Sequence, residues 1–231
     1  MRPTLALTLT GALLLLAGLT AGVLEPGLVR DLDWQVHLWI DAHLQGGVAR
    51  AVSTVAAWLG QRGVVVVPLL AVALLAARRR RSWWPLVVTI LTLGGIALSV
   101  WLFKVGVGRV APGTGYDAVH ADGLSYPSGH AVNALVCWAL VLEFAASLGP
   151  RAAHLLPVRR RRIITALVAL AAGTGMTTLD YHWLSDTIAG WLAGIVILAG
   201  ALALRPTGPA PAPADVSPSA PQAPARPAPS A

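Results

Sequence analysis

Charge is what this chain has least of. Only 12% of its 231 residues are charged and 56% are apolar. Soluble domains carry about 25% charged residues, so a soluble fold would lack the polar surface it needs. A mean hydropathy of +0.68 points instead to an integral membrane protein. Cysteine is nearly absent. The lone Cys137 excludes an intramolecular disulfide and a cysteine-rich zinc site. Lysine occurs once, at Lys104, among seventeen basic residues. Half of the arginines stand in two runs, at 78–81 and 159–162. A net charge of +7 invites a nucleic-acid partner. The runs lie between apolar segments, however, the pattern of cytoplasmic span ends, and no nucleic-acid partner is expected.

What is present is apolar sequence in span-length pieces. A helix needs roughly 20 such residues to cross a bilayer, and six stretches qualify: 4–24, 63–77, 83–103, 131–148, 163–179 and 187–204. The first reads as a retained anchor rather than a cleaved signal, because no A-x-A site follows it. With Arg2 in the cytoplasm, six crossings bring both arginine runs and the C-terminus to the cytoplasmic side. The loops 25–62, 104–130 and 180–186 then lie outside. The expected fold is an all-α polytopic bundle in a plasma membrane, divided as 1–24 anchor, 25–62 interfacial helical segment, 63–204 membrane domain and 205–231 tail. The tail is dominated by proline and alanine and reads as a disordered cytoplasmic extension. In the outer segment, Asp33, His37, Asp41 and Gln45 recur every four residues. That stripe reads as the solvated face of an interfacial helix, with metal ligation as the alternative.

Three outer stretches collect the chemistry: KVGVGRVAP at 104–112, SYPSGH at 125–130 and DYHWLSD at 180–186. Pro127 suits a first helical turn. Ser128 and Gly129 then leave backbone N–H groups open to an anion, and His130 is within reach of a leaving oxygen. The plainer reading is a capped helix with an interfacial histidine. His182 and Asp186, four apart, share one face if helical, where a carboxylate would fix the imidazole tautomer. Otherwise they are an interfacial polar pair. Lys104 is the single lysine and sits on the outer side, against the topological bias, while Arg109 offers a planar fork to phosphate oxygens. Asp117, His120 and Asp122 read as solvated loop residues.

Taken together, Lys104, the Pro127-Ser128-Gly129-His130 run and the His182–Asp186 pair resemble the type 2 phosphatidic acid phosphatase (PAP2) family, which shares its site with vanadium haloperoxidases. The resemblance covers roughly residues 60–204. The family pattern is K-x6-R-P, then P-S-G-H, then S-R-x5-H-x3-D. Both motif arginines are missing here, their positions falling at Ala111 and Met176, with Gly175 at the serine. The resemblance implies a metal-independent acid phosphatase, without cofactor, acting on a lipid phosphate such as a polyprenyl diphosphate, phosphatidic acid or phosphatidylglycerol phosphate. It implies His182 as nucleophile, Asp186 as its orienting carboxylate and His130 as proton donor. Lys104, Arg109, Ser128 and Gly129 would bind phosphate. Head-group transfer and non-catalytic binding of lipid phosphates are the alternatives.

Overall fold

A computed structural model of the chain describes residues 3–204, and its described residues are helical without a strand. Arg2 and the expected tail 205–231 lie outside them. The chain runs through α1 (Pro3–Leu24), α2 (Leu28–His43), α3 (Gly47–Trp58), α4 (Arg62–Arg80), α5 (Trp84–Val107), α6 (Gly129–Ala146), α7 (Pro150–Leu155), α8 (Val158–Thr178) and α9 (Leu184–Ala203). Local chemistry sets several ends. Pro85 sits in the first turn of α5, where its missing N–H costs nothing. Gly108, at φ 56°, closes α5 in the left-handed conformation that glycine adopts most readily. The Ser128 side chain caps α6, accepting from the Ala131 N–H at 3.4 Å.

Among the described residues, five stretches are long and apolar enough to cross a membrane: Ala6–Leu24, Gly47–Arg80, Trp84–Thr114, Gly129–Ala146 and Leu184–Ala203. The chain is therefore a multi-pass membrane protein. The sixth expected span, 163–179, falls within α8, which does not reach that hydropathy. Arginines fill its first turn, and glycine and threonine thin its end. It still runs the length of the bundle. Arg161 at its start lies 3.0 Å from Glu143 of α6, and Gly175 near its end packs against Ser53 and Ala57 of α3. The segment 25–62, expected to be helical, contains two helices, α2 and α3. The second, α3, is apolar and separated from α4 only by a turn at 59–61.

The core forms around α6, 61% of which is buried against 17–39% for the other crossing stretches. Val132, Val136 and Leu140, spaced by four, face Val65, Leu69 and Ala73 of α4 within one apolar cluster. Lipid is as apolar as leucine, so helices associate in a bilayer through close packing and small residues. Gly190 of α9 shows this: a Cβ there would lie 2.6 Å from the Ser128 carbonyl oxygen. The two arginine runs meet at the C-terminal end of α6. Arg79 donates to the Leu148 carbonyl at 2.6 Å, and Arg161 pairs with Glu143. His130 stands at the other end of that helix, about 27 Å away for 18 residues.

Candidate active site

At the histidine end, the loop after α5 folds back on itself. Val110 N–H donates to Ala118, Ala121 N–H to Gly108 and Ser125 N–H to Arg109, all at 2.9–3.0 Å. Gly123 lies so close to the Arg109 carbonyl that any Cβ would collide with it. This fold drives Arg109 inward until its side chain is fully buried. Its Nε donates to Asp117 (2.9 Å), Nη1 to Ser185 and Asp186 (2.8 and 3.0 Å), and Nη2 to Asp33 and Asp117 (2.8 and 3.1 Å). The guanidinium also lies 5.0 Å from the Trp183 ring centroid. All five donors are spent on the protein, so the expectation that Arg109 grips phosphate is corrected. It is a buried hub tying α2, the 108–128 loop and the start of α9.

The acids around that hub differ from their sequence reading. Asp33 is not on a solvated face: it is 2% exposed and accepts from the Ser185 backbone (2.8 Å) and hydroxyl (2.5 Å) as well as Arg109. Burial pushes its carboxyl above the ordinary value, although Arg109 and Ser185 pull it back. Asp117 is no free loop acid either, since Arg30 joins Arg109 on it at 2.8 Å. Burial pushes Asp117 up, but the hydrogen bonds and charges of the two arginines outweigh this and hold it below the usual carboxylate range. His37, Asp41 and Asp180 offer ligand atoms within 4.8 Å of one another, a set able to hold a cation. His37 Nδ1 already lies 3.1 Å from Asp180, which also accepts from Gln45.

His182 and Asp186 do not share a helix face, because α9 begins at Leu184. Asp186 is instead the third residue of α9, and its Oδ2 accepts the Trp183 N–H at 3.0 Å, closing the helix start. His182 stands just before that start, with Nδ1 3.6 Å from the same oxygen. That is beyond hydrogen-bond range. Nδ1 is enclosed and makes no hydrogen bond, a rare state for a buried polar atom. Across from it, the Tyr126–Pro127 peptide is cis and Pro127 precedes the helix rather than entering its first turn, since α6 starts at Gly129. The Ser128 N–H is taken by the Asp186 carbonyl at 2.9 Å. This bond fastens α6 to α9 and removes the Ser128 amide from the expected phosphate site. The open amides at this end are those of Gly129 and His130, which have no acceptor one turn earlier.

The three stretches nonetheless reach one place. His130 is half-buried, and Ser128, two residues before it, is bonded to Asp186, four residues after His182. Lys104 donates one N–H to the Leu124 carbonyl, on the loop that leads into Pro127 and Ser128. Sequence reasoning missed Asp33 and Ser185 as organisers of this end.

A multi-helix membrane bundle brings the His130, His182 and Lys104 stretches and the start of α6 to one end. The family model described as the PAP2 superfamily matches residues 83–208, more than half of the chain, and the chain belongs to that superfamily. Its fold is similar to that of a transmembrane PAP2-type phosphatidylglycerolphosphate phosphatase from Bacillus subtilis. The TM-score is 0.74 at 18% identity, over 85% of this chain and 94% of the other. No curated protein sequence matches the chain significantly.

Proposed function

We propose that the chain is a membrane phosphatase that removes phosphate from a lipid phosphomonoester or diphosphate through a phosphohistidine. The observation that carries this reading is the meeting of three remote stretches at the end opposite the arginine runs, where the Ser128 N–H bonds the Asp186 carbonyl and Lys104 bonds the Leu124 carbonyl. The positive-inside rule puts that end outside the cytoplasm, at a depth where a lipid phosphate presents its head group.

In the mechanism, Nε2 of His182 attacks phosphorus. The N–P bond forms as the P–O bond to the lipid breaks, and protonated His130 gives its proton to the departing oxygen. Water then attacks the phosphohistidine, His130 takes the water's proton, and inorganic phosphate leaves. Asp186 stabilises the imidazolium that His182 becomes. Its 3.6 Å separation from Nδ1 suits an unliganded site, where catalytic hydrogen bonds are often long and tighten with substrate. Lys104 and the amides of Gly129 and His130 hold the charge that grows on the phosphoryl oxygens. Arg109 and Asp33 touch no substrate in this scheme. They fix Ser185 and Asp186, and through them the position of His182.

The test uses purified protein in detergent, a panel of lipid phosphates, and chelator throughout. Wild type should release phosphate, and His182→Ala should lose at least roughly 10³-fold of that rate. Equal release by both proteins overturns the nucleophile assignment. A new phospholipid in place of free phosphate would mean transfer instead of hydrolysis.

A further inference from the structure

The family pattern supplies two arginines that this chain lacks, and Arg109 is consumed by the protein. Lys104 would then be the sole cation at the phosphoryl position. A second cation stands at the same end of the bundle on a different helix. Arg62 opens α4, immediately after the 59–61 turn. That turn is locked onto α6: Asn133 Nδ2 donates to the Gly60 carbonyl at 3.3 Å and Trp138 Nε1 to the Leu59 carbonyl at 2.9 Å. Gly60 also lies against the His130 backbone so closely that a Cβ would collide with its carbonyl. Arg62 is therefore held two residues from the point where the 59–61 turn touches His130.

Its side chain is exposed and makes no hydrogen bond or ion pair among the described residues. The helix of Lys104 reaches the same point, since Val100, one turn before Lys104, would lie 3.7 Å from a Cβ on Gly129. The placement is costly on two counts. A cation at a helix start opposes the macrodipole, and α4 has no acidic residue in its first turn to offset it. Arginine on this side also runs against the topological bias. An anion bound at Arg62 offsets the first cost, at the N-terminus of α4.

Resting on the phosphatase reading, we propose that Arg62 is the second cation of the phosphoryl site, doing from α4 what the missing motif arginines do elsewhere in the family. It grips the substrate's phosphoryl oxygens together with Lys104.

Two measurements on detergent-solubilised full chain test this. The first is the thermal unfolding midpoint against orthophosphate concentration. The second is KM and kcat for phosphate release from a lipid phosphate. Arg62→Ala should need about 10- to 100-fold more orthophosphate for the same stabilisation and show a comparable rise in KM, the loss of one charge-assisted contact. Arg62→Lys should recover part of both. Arg151→Ala, the same charge change at the opposite end, should behave as wild type. Arg62→Ala that matches wild type in both assays overturns the assignment and leaves the phosphatase reading standing. A wild type unaffected by orthophosphate also overturns it. Arg62-dependent orthophosphate binding without turnover of any lipid phosphate supports Arg62 and sinks the phosphatase reading instead.

Discussion

Removing the Arg109 side chain separates two roles for a single arginine. The guanidinium makes five hydrogen bonds at 2.8–3.1 Å, four of them to carboxylates, and none of its side chain is exposed. Summing charge-assisted bonds at about 1.5–3 kcal/mol each would exceed 7 kcal/mol, but desolvating the charges cancels much of that sum. What decides the outcome is the residue left behind. Arg109→Ala strands Asp33 and Asp186, 2% and 0% exposed, without their cation. Breaking a buried pair in this way costs about 3–5 kcal/mol. For a chain of this size that is a fall in unfolding midpoint of roughly 6–20 °C. Arg109→Lys should restore only part of it, because an ammonium has three donors and no fork. Thermal unfolding in detergent, followed by circular dichroism, measures the loss. A midpoint within about 3 °C of wild type, with a raised KM for a lipid phosphate, would refute the buried-hub argument and return Arg109 to the substrate.

Three further outcomes follow from the packing. Gly190→Ala puts a Cβ 2.6 Å from the Ser128 carbonyl and should wedge α9 from α6. Because these helices present His182 and His130, kcat for phosphate release should fall at least about tenfold, and an unchanged kcat would count against the proposed pairing. Restoring the family's Ser-Arg by Gly175→Ser with Met176→Arg should destabilise the fold rather than raise activity. A Cβ at 175 lies 2.6 Å from the Ser53 carbonyl, and Met176 is buried, so the new arginine would enter without a partner; unfolding midpoint and phosphate release together check this. Asp117 has a folded pKa below its unfolded value, so its contribution to stability is present above about pH 4 and is lost as pH falls through the folded value. The stability gap between wild type and Asp117→Asn should therefore be wide at pH 7 and shrink at pH 3, as read by denaturation midpoints in detergent.

Much of the architecture was legible in one dimension because lipid imposes a one-dimensional rule. Every crossing helix must satisfy its backbone internally and present about 20 apolar residues. Composition and run length thus marked the helical class and most of the crossing stretches. The arginine runs announced which ends lie together, and the Pro-Ser-Gly-His run announced an open helix start. Misreadings arose where a residue's partner is distant in sequence. Asp33 has the four-residue spacing of a solvated stripe, yet its partner Ser185 is 152 residues away. Arg109 sits among glycines like a phosphate ligand, yet the loop folds it onto carboxylates from three segments. The His182–Asp186 spacing fits a helix that starts only after His182, since Asp186 itself forms the cap.

The sequence by itself determined that this chain lives in a membrane, which of its ends gather arginine and which gather histidine, and which polar residues are out of place in lipid. Those are properties of composition and run length, and the bilayer enforces them locally. Only the tertiary structure decided which cations are spent within the protein and which remain free for a ligand. That division depends on how tightly α2, α3 and the 108–128 loop pack against α8 and α9, and close packing between remote segments leaves no periodic trace along the chain.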